Sequence, residues 1–160
     1  MQHSQAVETA SKSGSVTILV QRAHGLMQAI PHSLVALVAR LSIAAVFWQS
    51  GRTKVDGFSL NDTAVYLFEN EYKLPFVDPA FAAHLAAFAE HVFPVLLVIG
   101  LASRFCALAL LGMTLVIQIF VYPDAWPTHG TWAACLLLIV ARGPGILSLD
   151  HLIGRRRAKT

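Results

Sequence analysis

PAFAAHLAAFAEHVFPVLLVIGLASRFCALALLGMTLVIQIFVY, residues 79–122, decides the fold. Two fixed charges, Glu90 and Arg104, are all that this stretch carries. It divides into an apolar run from Pro79 to Leu101 and a second from Arg104 to Tyr122. Each run is close to the ~20 residues that ~30 Å of hydrocarbon requires of a helix. Only Ala102 and Ser103 separate them, so the two helices must be antiparallel neighbours.

Composition carries the membrane reading to the whole chain. Of the 160 residues, 56% are hydrophobic and 13% charged, against about 25% charged for an ordinary soluble domain. The mean hydropathy is +0.60. A chain this short cannot hide so much apolar surface in a core of its own, so lipid is the solvent. The net charge of +3 comes mostly from the basic tail Arg155, Arg156, Arg157 and Lys159. Directly behind an apolar segment, that tail faces anionic headgroups rather than nucleic acid. Cys106 and Cys135 fall near opposite faces, too far apart to be bridged. No short apolar core precedes an Ala-x-Ala site, so the first span is expected to direct insertion itself.

Outward from the central pair, a further span is predicted from Ser33 to Ser50, apolar except for Arg40 and preceded by Pro31. Another is predicted from Ala125 to Ala141, with Pro127 in its first turn, stopped by Arg142-Gly143-Pro144-Gly145. The expected fold is all-α: a four-transmembrane-helix bundle with an N-terminal amphipathic helix and a short outer-loop helix. The amphipathic helix rests on Val16, Leu19, Val20, Ala23, Met27 and Ile30, which share one helical face. It lies either on the membrane surface or on the protein's own core. The loop helix is capped at Asn61-Asp62-Thr63 and ends at Leu74-Pro75. Three regions follow: 1–30, polar N-terminus and interfacial helix; 31–153, membrane domain; 154–160, basic tail. Ser148 caps a short turn before that tail.

Lys and Arg placement gives sidedness. Lys12, Arg22, Arg104, Arg142, Arg155, Arg156, Arg157 and Lys159 fall on one side; Arg52, Lys54 and Lys73 fall on the other, among five acidic residues. The positive-inside rule puts the first group, and both termini, in the cytoplasm of a bacterial inner membrane. The 51–78 loop then faces outward, and a loop of that length is usually functional.

Charges inside hydrocarbon ask for a partner or a purpose, at ~2.5–3.5 kcal/mol each. Arg40 and Glu90 stand about 10 and 16 Å from the cytoplasmic ends of their helices at ~1.5 Å per residue. An arginine side chain covers that difference, so one reading pairs them. Glu90 as a protonatable group in a quinone or substrate pocket is a second, and Glu90 neutral and hydrogen-bonded a third. Lys54 shares a face with Phe47 and Gly51 and stands at the outer mouth, or else snorkels. His91 and Arg104 are further pocket candidates. Gln118 and Ser42 suit interhelical hydrogen bonds. Tyr122, Trp126 and Trp132 suit an interfacial belt. His84 and His129 lie near outer helix ends and are the best-placed metal ligands, although without a third ligand an interface pair is the simpler account. No nucleotide loop, CxxC, HExxH or Ser-His-Asp spacing is present.

"RLSIAAVFWQSGRTK" (40–54), "LPFVDPAFAAHLAAFAEHVFPVLLVIGLASR" (74–104) and "GPGILSLDHLI" (143–153) resemble the DoxX family of small bacterial membrane proteins over roughly residues 36–153. The resemblance carries the Phe47, Gly51 and Lys54 spacing, the run from Glu90 through Gly100 to Arg104, and Ser148-Leu149-Asp150 behind the Gly-Pro-Gly. One departure is Phe93-Pro94, where the family has small glycines, and a kink is expected there. The family implies a four-helix bundle, and its named members are linked to membrane redox systems, including thiosulfate:quinone oxidoreductase subunits. It implies quinone as the cofactor to consider and a redox protein as a partner; a second copy of the chain is another candidate partner. Three functions follow as expectations: a quinone-contacting redox subunit, a non-catalytic accessory or assembly protein, and a small proton-coupled exporter.

Overall fold

The computed structural model describes residues 19–157. The expectations for residues 1–18, including Lys12 and Val16, and for Lys159 lie outside them. The described chain is mostly helical. Residues 19–28 form a first helix, α1, every side chain of which is exposed. Its apolar side chains, Leu26 and Met27 among them, therefore do not pack on the protein's own core.

Four longer helices follow. These are α2 (His32–Arg52), α4 (Pro79–Ile99), α5 (Ser103–Val116, extended by a π-helical turn Ile117–Val121) and α6 (Trp126–Arg142), with short helices α3 (Asp62–Leu67) and α7 (Leu149–Arg157). They pack in a ring: α2 on α4, α4 on α5, α5 on α6 and α6 on α2. Three are long and apolar enough to cross a membrane, namely His32–Arg52, Pro79–Ile99 and Ser103–Val121. The fourth, α6, has 17 residues.

Local chemistry sets the ends. Asn61 Oδ1 accepts from Ala64 N–H at 2.7 Å and starts α3. Asp78 Oδ1 accepts from Phe81 N–H at 2.8 Å, and Pro79 occupies the first position of α4, where its missing N–H costs nothing. Gly100, at φ 73°, closes α4 in a left-handed turn. Helix α4 runs unbroken through Pro94, and its contact with α2 is the most extensive in the fold. Small side chains permit that approach. Ala87 of α4 and Ala36, Ala39 and Ala44 of α2 are buried. A Cβ on Gly51 would stand 2.9 Å from the His91 ring and 3.0 Å from Glu90 Cβ.

One short hairpin stands in the otherwise helical chain. Val55–Asp56 pairs antiparallel with Ser59–Leu60, in the register Val55 to Leu60 and Asp56 to Ser59. Gly57 (φ 66°) takes the first central position, which a type II′ turn gives to glycine. This hairpin, α3 and a π-helical turn at Phe68–Tyr72 pack on α4. Phe68 is buried against Ala82, Ala83 and Ala86 of that helix.

Candidate functional site

Glu90 does not meet Arg40. The helices are staggered, so that Ser50 of α2 stands beside Glu90 while Arg40 stands level with Val98. Ser50 Oγ donates to Glu90 Oε1 at 3.1 Å, and Lys54 Nζ lies 2.8 Å from Glu90 Oε2. Lys54 also donates to Ser50 Oγ at 3.1 Å and to the Ser50 carbonyl at 3.3 Å. The carboxylate's side chain is 3% exposed and the lysine's 10%. An ion pair this well buried keeps most of its Coulomb attraction, and the serine satisfies a further lone pair.

Arg40 serves the other end of the bundle. Its Nη1 donates to the Pro144 and Leu147 carbonyls at 3.0 and 2.9 Å, and its Nη2 to Val98 at 3.1 Å. The guanidinium thus binds the end of α4 and the turn after α6 to α2. Asp150 completes the tie. Its Oδ1 accepts from Ala102 N–H at 2.8 Å and its Oδ2 from Ser103 N–H at 2.9 Å, capping α5. The carboxylate also holds Ala102 at φ 49°, a conformation costly for any residue with a Cβ. The expected cap at Ser148 is present, as its Oγ accepts from His151 N–H at 3.2 Å. The helix it starts then runs to Arg157, not a short turn.

Beside Lys54 and Glu90 the bundle encloses a cavity of about 490 Å³. Its walls are almost wholly apolar, from Phe47, Leu85, Phe93, Met113, Ile117 and Trp132. The polar exceptions are the Ser50–Lys54–Glu90 cluster, His129, Tyr72 and Tyr122. The outer excursion, through Phe68, Tyr72, Leu74 and Val77, forms part of the wall. Tyr72 meets Tyr122 edge to face at 6.0 Å. Burial, then the hydrogen bond with Tyr122, push the Tyr72 hydroxyl above the usual phenol range.

The remaining sequence candidates divide around this cavity. His129 is buried, and its Nδ1 donates to Gln118 Oε1 at 2.7 Å, joining α6 to the end of α5; Gln118 donates in turn to the Pro123 carbonyl. His91 bonds the Ala87 carbonyl of its own helix at 2.7 Å and meets the Trp48 ring at 5.1 Å. His84 is exposed and bonds the Ala80 carbonyl at 2.7 Å. It does not line the cavity with His129, and no cluster of three metal-ligating side chains occurs among the described residues. Ser42 is exposed and joins no helix pair. Trp132 is half-buried and lines the cavity. It packs on Phe47 at 5.7 Å and on His129 at 5.0 Å, inside the bundle. Arg104 lies at the opposite end, in a cleft with His32, Arg142 and His151. Both cysteines are free thiols. Sequence reasoning missed Ser50, Tyr72 and Trp132 as cavity residues. Ser50 precedes Lys54 by one helical turn, and that spacing was the available signal.

A family model described as DoxX matches residues 35–123. A protein of Haemophilus influenzae (strain ATCC 51907 / DSM 11121 / KW20 / Rd), described as uncharacterized, is 29% identical over 139 residues, covering 79% of this chain and 88% of the relative. No solved structure matches the chain.

Proposed function

The chain belongs to the DoxX family and is a multi-pass membrane protein, and on that footing we propose that it holds a small, mainly apolar redox molecule of the quinone class, as the membrane subunit of a redox system. The observation that carries this reading is the apolar cavity with a buried ammonium–carboxylate pair at one wall. Its size falls in the usual range of small-molecule sites, ~300–1,000 Å³, and so does its pattern of apolar walls with few polar groups. A quinone supplies two carbonyl acceptors on an apolar ring. Lys54 is the donor for one carbonyl, and Glu90 holds the lysine in place. His129, fixed by Gln118, and the Tyr72–Tyr122 pair supply polar contacts elsewhere on the wall. Electrons come from a partner oxidoreductase, and the cavity residues bind and orient the acceptor.

In this reading α6 is the fourth crossing, short but packed on both α5 and α2. Helix α1 lies on the membrane surface, since its apolar face has no partner among the described residues. Both termini are on the cytoplasmic side of a bacterial inner membrane, as the Lys and Arg distribution suggests. A non-catalytic accessory role is the second reading, favoured by Phe58 and Phe76. Both are fully exposed on the outer excursion, where a partner protein would cover them.

Trp132 gives a direct test, because it lines the cavity while Trp48 and Trp126 do not. A Trp48→Phe/Trp126→Phe protein in nanodiscs, titrated with a soluble quinone, should lose fluorescence in a saturable manner. Adding Ala86→Phe, which fills the cavity, should abolish saturation. Non-saturable quenching that Ala86→Phe leaves unchanged would refute the quinone site. A fully active Lys54→Met protein would favour the accessory role.

A further inference from the structure

At the end of the bundle away from the quinone cavity lies a second cleft of about 330 Å³. It is formed where α2 begins, where α5 begins and where the chain turns from α6 into α7. Arg104, Arg142, His32 and His151 all line it. Its one carboxylate, Asp150, has each oxygen engaged by a backbone N–H of α5. Among the described residues neither Arg104 nor Arg142 has an acidic partner or a hydrogen bond. The turn is built to admit them. Gly143, at φ 81°, lies directly beneath Arg104, whose Nη2 and Nε would stand 3.3 and 3.4 Å from a Cβ placed there. Ser33 Oγ holds the far side by accepting from Ile146 N–H at 3.1 Å.

Two guanidinium groups facing one open cleft repel each other unless an anion lies between them. Planar, fork-shaped donors suit phosphate oxygens. What lies beside the cleft decides the source of that phosphate. Ile146 lines it and is exposed, and Leu147, Leu149, Leu152 and Ile153 are exposed along the adjoining turn and α7. A soluble phosphate gains nothing from such a surface, whereas a phospholipid lays its acyl chains along it. The cleft also stands at the end that carries the excess of Lys and Arg, where anionic headgroups gather.

We propose that this cleft binds the phosphate of an anionic phospholipid, held between Arg104 and Arg142, with the acyl chains on the apolar side chains of the turn and α7. The site is independent of the quinone cavity. By binding across α2, α5 and the turn it reinforces the tie that Arg40 and Asp150 make in protein.

Native mass spectrometry of the full chain in detergent tests the assignment. The protein is titrated in parallel with phosphatidylglycerol, phosphatidylcholine and inorganic phosphate. One phosphatidylglycerol should be retained per chain, with phosphatidylcholine weaker and inorganic phosphate unable to compete at equal concentration. Arg104→Gln/Arg142→Gln should weaken phosphatidylglycerol binding roughly 10- to 100-fold, as expected of two lost charged contacts. Arg104→Lys should fall between, since it keeps charge but not the fork. Neutralising Arg155 and Arg156 on α7, which do not line the cleft, should change binding by no more than about threefold. An unchanged thermal midpoint for the double variant establishes that it is folded. Wild-type affinity in Arg104→Gln/Arg142→Gln overturns the proposal, as does equal loss in the α7 variant. Competition by inorganic phosphate would move the site to a soluble anion and overturn the lipid assignment.

Discussion

Removing one member of the Lys54–Glu90 pair should cost more than removing both, and by unequal amounts for the two members. A buried pair that loses one partner typically costs ~3–5 kcal/mol, because an uncompensated charge is left in low dielectric. The surroundings decide where in that range each change falls. In Glu90→Gln the ammonium keeps two acceptors from Ser50, at 3.1 and 3.3 Å, and the new amide oxygen can still accept. A cost near ~3 kcal/mol is expected. In Lys54→Met the carboxylate keeps only the Ser50 hydroxyl, at 3.1 Å, so the cost should approach ~5 kcal/mol. The double variant buries a methionine beside a neutral amide and should return to within ~1–2 kcal/mol of wild type.

These differences are large beside a total stability of ~5–15 kcal/mol. At the ~2–4 °C per kcal/mol usual for a chain of this size, Glu90→Gln should lower the melting midpoint by roughly 6–12 °C and Lys54→Met by more. Thermal unfolding of each variant in nanodiscs, followed by near-UV circular dichroism, reads the whole cycle. The double variant also separates stability from function, since it should fold and yet bind no quinone. Additive single effects would mean that the two groups do not act as a unit. Single effects below ~0.5 kcal/mol would mean that water reaches both groups, and the buried-pair argument would be wrong.

Other consequences follow from the same contacts. Arg40→Met leaves three carbonyls without their charged donor and should cost about 2–4 kcal/mol in the same unfolding assay, with Arg40→Lys restoring only part because its ammonium cannot span all three. Asp150→Asn should cost ~1–2 kcal/mol through the lost cap of α5, again read by thermal midpoint. Gly51→Leu forces α2 away from His91 and Glu90 and should destabilise by ~1–3 kcal/mol, whereas Gly112→Leu, where nothing lies within 4 Å of the added Cβ, should be nearly silent. Alkaline phosphatase fused at residue 60 should be active and a fusion after Thr160 inactive; the reverse pattern would invert the assigned sidedness.

The helices were legible because lipid demands long apolar runs, and their ends because Asn61, Asp78 and Gly100 carry their chemistry locally. The partner of Glu90 was not. Depth counted from predicted helix ends assumes that α2 and α4 begin level, and the stagger set by Gly51 against His91 breaks that assumption. Arg40 finds two of its three acceptors in a turn more than a hundred residues later, and no local pattern records such a contact. The hairpin is a different kind of miss. Asp56-Gly57 is a turn signal, but within a loop read as irregular it carried no weight beside the helical periods around it. Glu90 and Lys54 were legible as pocket candidates, but the cavity's extent was not, because it is a space left between elements, closed partly by the π-helical turn at Phe68–Tyr72.

The two buried cations bear on what the cavity can hold. Arg40 ends on neutral carbonyls, so its charge stays at the end of the bundle where headgroups and Asp150 can balance it. Lys54 ends on Glu90, and the two together leave the cavity wall without net charge. An apolar cavity with a neutral wall does not compensate a charged ligand for the water it gives up, and burying an ion there would cost several kcal/mol. It does suit an uncharged molecule with a few acceptors, because the lysine offers a strong donor while the glutamate removes the penalty of keeping that donor dry. The pairing suits the neutral cargo proposed above, while the charged side chains of the other end, Arg104 and Arg142, stand without acidic partners among the described residues.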